Sequence, residues 1–202
     1  MSYETGRFKF KSKPKPGEIW EIRRVPRIPY DVDITAYECL YSQIARSFIR
    51  GESSRRYVMI VSESADCLVV PVMLMSSEVN YFSNIDVVIS QQISGLEQDL
   101  LAKTWLVTEM LVCNLLQPVG QRLSYDLYND LMDRSEEYQD NVLDLENVDI
   151  FHKQELDFTD LFYIPINIYR NHQRYIDGIN ATESLLNDVL LLEQETKLIK
   201  YF

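Results

Sequence analysis

Cysteine is scarce in this chain: Cys39, Cys67 and Cys113 stand apart, odd in number and without a CxxC spacing. That excludes a zinc ribbon and a thioredoxin-like site, and it reads as reduced, buried thiols in a cytoplasmic protein. Glycine and proline are few, 6 and 7 of 202 residues, so a collagen-like or low-complexity chain is excluded. A membrane-spanning helix needs about 18 uncharged apolar residues in a row. The most apolar stretch, Leu100 to Val119, is interrupted by Lys103, Glu109 and Asn114. The start, MSYETGRFKFKSKPKPG, is basic and lacks the apolar core of a secretory signal. There is no Gly-rich phosphate loop and no internal repeat. The expectation is a soluble, cytoplasmic protein with no cofactor and no membrane partner.

Positive charge is also short, with 20 Lys+Arg against 31 Asp+Glu and a net charge of −11. The deficit is uneven. Residues 1–30 carry 8 basic and 3 acidic side chains, residues 31–60 carry 4 and 4, residues 61–122 carry 2 and 7, and residues 123–202 carry 6 and 17. A basic arm therefore precedes a mildly acidic middle and a strongly acidic extension, which disfavours a polyanionic partner for most of the chain. The 46% hydrophobic and 11% aromatic content is that of a packed globule. Three segments are expected: an N-terminal arm at 1–15, a core at 16–138 and an acidic, partly helical extension at 139–202.

Within the core, Glu18-Ile19-Trp20-Glu21-Ile22-Arg23 alternates polar and apolar residues as a half-buried strand does. Thr35 and Glu38 have capping-box spacing before a helical stripe of Tyr37, Leu40, Tyr41, Ile44, Ala45 and Phe48, closed by Gly51. Beyond it the period shortens. Runs at 56–61, 67–74 and 85–89 read as strands, the first two joined as a hairpin, and 105–107 with 110–112 suggest two more. Ser124 caps a helix carrying Leu127, Leu131 and Tyr138. In the extension, Phe162 to Tyr169 reads as a strand, and Asn180 and Glu183 open a helix through Leu192. The fold class predicted is mainly β with helical additions. His152 and Glu155 have a spacing that suits two metal ligands on one helix face, but no second pair supports them, so they read as surface residues. Asp31 and Asp33 read as turn and cap.

An ordered set of pieces from Pro16 to about Met132 resembles the PemK/MazF toxin family. They are Gly17-Glu18-Ile19-Trp20, Arg55-Arg56 before Tyr57–Val61, Val69-Val70-Pro71-Val72, Ser94-Gly95-Leu96-Glu97-Gln98-Asp99, Glu109, and Val119-Gly120 with Leu123-Ser124 and Leu131. The resemblance implies a small SH3-like antiparallel barrel with a helix in its first loop, a closing helix and a homodimeric state. It also implies metal-free cleavage of single-stranded RNA through the ribose 2′-OH. An Arg opening the second strand would stabilise the phosphorane, and a Thr or Ser at the end of the third would serve the 2′-OH.

Arg56 falls on the Arg position, but Met73 stands at the Thr/Ser position and a thioether donates no proton. Ser76, the fallback, lies three residues on and turns to the other face from Met73. Tyr57 replaces the usual proline, and Val112 stands where the family often carries an RNA-contacting Arg. The expectation is therefore a barrel that has lost catalysis and binds a protein partner or supports assembly. One alternative is an endoribonuclease using Arg56. A second is a non-catalytic nucleic-acid-binding protein using Arg23, Arg24, Arg55 and Arg56. The acidic extension suggests that residues 140–202 cover the barrel's groove in cis; a second lobe packed on any other face is the simpler alternative.

Overall fold

A computed structural model describes residues 13–28, 46, 50, 56–63, 68–77, 79–80, 84–141, 165–166 and 170. Two compact units divide the chain, Met1–Ile166 and Asn167–Phe202. The first contains an antiparallel sheet built from β1 (Ile19–Ile22), β2 (Tyr57–Ile60), β3 (Val69–Ser76), β4 (Val87–Ile89), β5 (Leu100–Leu111) and β6 (Leu115–Val119). Among the described residues it is accompanied by the short helix α1 (Gln91–Ser94), the longer α2 (Tyr125–Asn141) and a 3₁₀ turn at Val112–Asn114. In the second unit Arg170 alone is described; it is helical and exposed.

The strand order is β4-β5-β3-β2-β1-β6. Among the described residues no pairing joins β4 to β6, so the sheet is open and the expected barrel is not closed. The sheet bends instead at two irregularities. One lies between Glu21 and Ile22 against β6. The other is large: Met73 pairs with Val107 and Met75 with Ala102, so residues 103–106 of β5 pass the single residue Leu74 of β3. Such bulges curve a sheet without requiring its edges to meet.

Period-two alternation sorts the core into two faces. Trp20, Ile22, Val58, Ile60, Val70, Val72, Leu74, Leu106, Met110, Val112 and Leu115 pack together on one. Ile19, Tyr57, Met59, Val61, Met73, Met75, Ile89, Leu100 and Ala102 pack on the other with Leu123 and Leu131. Both faces being buried, β2 and β3 read as continuous apolar runs. Each fully buried aliphatic side chain contributes about 1.5–3 kcal/mol.

Helix α2 seals the second face. Ser124 Oγ accepts from Leu127 N at 3.3 Å, the cap expected, and Tyr128 OH donates to Val61 O at 2.5 Å. Leu131 is fully buried and Leu127 partly so, as their spacing predicts.

Two strand assignments change. The separate runs at 105–107 and 110–112 are parts of one strand, β5, because Thr108 and Glu109 stay in register with Val72 and Pro71 instead of turning. β6 was not expected, since Pro118 interrupts its pattern. It is an edge strand in which Pro118 lies opposite Trp20, where a missing N–H is tolerated. Outside this sheet, Pro165 and Ile166 are helical and buried where a strand at 162–169 is expected, and the rest of that run lies outside the described residues; short apolar runs do not distinguish a strand from a buried helix. Of the helix expected in the first loop, Arg46 is helical and Arg50 N donates to Arg46 O at 3.0 Å. The rest of that helix, and the helix after Asn180, lie outside the described residues.

Candidate functional site

Arg56 stands immediately before β2, where its carbonyl accepts from Ile22 N at 3.2 Å. The β2–β3 register pairs Val58 with Leu74 and Tyr57 with Met75. One step further, Arg56 comes opposite Ser76. Alternation puts both on the face of Val58, Ile60, Val72 and Leu74. Ser76 is the fallback residue of the sequence reading, and counting outward along the β2–β3 register is what sets it opposite Arg56. Met73 sits on the opposite face with Met59 and Met75, fully buried. It is core, and it takes no part in a site with Arg56.

Ser76 is fully buried at the end of β3, paired with Leu101, and Arg56 Nε and Nη1 are also buried. A cation and a hydroxyl on one face are the right pair of groups for phosphoryl chemistry, but a phosphodiester must reach both to use them. A hydroxyl without solvent exposure does not offer that access. Val112 is buried among the same apolar residues and Tyr57 lies on the α2 side. Arg55 lies outside the described residues.

Arg23 and Arg24 follow β1. Arg23 is half-buried: its N donates to Asn114 O at 2.8 Å and its Nε to Cys113 O at 3.1 Å. Arg24 is exposed. Arg27, which the sequence reading left out, joins them; its N donates to Asn114 Oδ1 at 2.6 Å, and Cys113 Sγ donates to its carbonyl at 3.2 Å. The RRVPR spacing of residues 23–27 is the signal that marks the group. Burial, and next the charge of Arg27, pull Arg23 below its ordinary value.

Burial pushes the Cys113 thiol up from 9.0 to about 11. A group raised in the folded state favours folding while protonated in both states. Its contribution is present below about 9 and lost as pH rises toward about 11. Unfolding by denaturant should therefore show stability declining over that window, with a shallower decline in Cys113→Ala. Identical slopes would show that the thiol contributes nothing there.

Among the described residues, no three His, Cys, Asp or Glu side chains group to hold a metal ion, and no helix is long and apolar enough to cross a membrane. His152, Glu155 and His172 lie outside the described residues. No protein-family model matches the chain, and no curated protein matches it.

Proposed function

We propose that this chain is a PemK/MazF-like sheet protein that has lost ribonuclease chemistry and works as a protein-binding or assembly module. The observation that carries this reading is the burial of Ser76 beside a partly buried Arg56, with Met73 turned to the far face. The open sheet supports the binding half. Each of its edge strands bears a large exposed apolar side chain, Val88 on β4 and Leu116 on β6, and edges and apolar patches are where sheets take partners. A homodimer is one such assembly, and sedimentation of the full chain measures it.

A second reading has its own support. The register that sets Arg56 opposite Ser76 on one face suits a metal-independent endoribonuclease in which Ser76, rather than residue 73, handles the 2′-OH. Incubating the full chain with single-stranded RNA, beside Arg56→Ala and Ser76→Ala, separates the two. The expected result is no cleavage above that of the variants. Cleavage abolished in both variants overturns the first reading in favour of the second. Binding without cleavage, weakening steeply with salt, favours a nucleic-acid-binding protein instead.

A further inference from the structure

We infer that Arg23, Arg24 and Arg27 form a binding site for a compact phosphate dianion, either inorganic phosphate or the phosphate group of a small monoester. The site is independent of the function proposed above. Three guanidiniums within five residues make no ion pair with any carboxylate among the described residues, in a chain with 31 acidic side chains to offer. Arg23 and Arg27 are held at the same two residues, Arg23 Nε on the Cys113 carbonyl and Arg27 N on Asn114 Oδ1, and the charge of Arg27 acts on Arg23. Like charges held together without a counter-ion are relieved by an anion.

The backbone beneath them is fixed in advance. Asn114 ties down both ends of the segment, its carbonyl accepting from Arg23 N and its Oδ1 from Arg27 N. Cys113 holds Arg23 Nε through its carbonyl and the Arg27 carbonyl through its thiol. Pro26 and Ile28 are buried, anchoring the segment further. With Nε committed to Cys113, the two terminal nitrogens of Arg23 remain for a ligand. Arg24 and Arg27 stand exposed on either side of Val25, which is also exposed.

The size of the cluster decides the ligand class. A tetrahedral phosphate dianion uses three cationic donors completely. A polynucleotide has to lay its neighbouring phosphates on surface beyond the cluster. Residues 61–122, which supply β3 to β6 of the sheet, carry 2 basic and 7 acidic side chains, which disfavour them.

The test is a titration of isotope-labelled full chain with inorganic phosphate at constant ionic strength, read from backbone amide signals. Saturable shifts confined to residues 23–28 and 112–114 are expected. In Arg24→Gln/Arg27→Gln, whose altered side chains support nothing in the fold, affinity should fall about tenfold or more with an unchanged melting temperature. No saturation, or equal affinity in the variant, overturns the proposal. So does a single-stranded RNA that moves the same amides at a lower phosphate concentration, which would assign the cluster to a polynucleotide.

Discussion

Gly120→Ala is expected to lower the unfolding free energy by about 3 kcal/mol or more, combining a left-handed backbone penalty with overpacking. Gly120 closes β6 at φ +62, and a Cβ built there meets Ser94 O at 2.1 Å and Leu96 Cγ at 3.1 Å. The obstacle is a backbone carbonyl that also accepts from Gln121 N at 2.6 Å. Moving aside would break the hydrogen bond that ties the end of α1 to the end of β6. Two other glycines supply the scale. At Gly17, φ is +79 but the nearest atom, Leu123 O, is 3.6 Å away, so alanine costs backbone conformation alone, about 1–2 kcal/mol. At Gly95 the close atom, 2.9 Å away, is Cγ of the flexible Gln121 side chain, which can turn away. Denaturant midpoints of the three variants should place Gly120→Ala well below the others with an unchanged slope. A Gly120→Ala loss no larger than that of Gly17→Ala would show that this contact yields.

Lys103→Met is expected to cost about 3–5 kcal/mol, because it strands a buried carboxylate. Lys103 Nζ lies 3.1 Å from Asp86 Oδ2, the two side chains being 5% and 0% exposed. Trp105 Nε1 donates to the other oxygen at 3.1 Å, and Thr104 Oγ1 donates to Ile85 O at 2.8 Å. These groups occur where residues 103–106 leave their pairing with β3. The β4–β5 register, Val87 with Ala102 and Val88 with Leu101, continues one step to set Asp86 opposite Lys103. A slip of one residue would bury Lys103 against an apolar neighbour, so the ion pair fixes the register as well as bridging the bulge. Removing both charges in Lys103→Met/Asp86→Leu should recover more than half of the loss, since a well-packed apolar pair often replaces a buried ion pair without penalty. If the single variant costs under about 1 kcal/mol, the pair is not holding β5 in register.

Much of the sheet was legible because its strands are short, apolar and bounded by turn residues. β1, β2, β3 and β4 lie within or across the runs read from their composition, and the Ser124 cap announced α2 one residue before it begins. What failed did so for identifiable reasons. Glu109 looked like a break inside an apolar run, but its side chain faces outward while its backbone pairs with Pro71. Pro118 hid β6, since a sequence does not say which strand will lie at an edge. Met73 was weighed as a replaced catalytic residue by its distance from Pro71, whereas the group facing Arg56 is set by pairing between strands. That pairing selects Ser76.

By itself the sequence determined the class of fold, the alternation that makes two buried faces, the capped helix that covers one of them, and the concentration of acidic charge beyond Leu123. These are local properties, carried by the spacing of neighbouring residues. The tertiary structure decided that the sheet stays open, that Arg56 and Ser76 share a face, and that Ser76 lies out of reach of solvent. It also decided that Lys103 finds Asp86 across a bulge and that Asn114 gathers Arg23 and Arg27 beside Arg24. Each of these depends on register between strands distant in the chain. A shift of one residue in pairing reverses every side chain's face, so composition alone leaves the pairing open and long-range packing settles it.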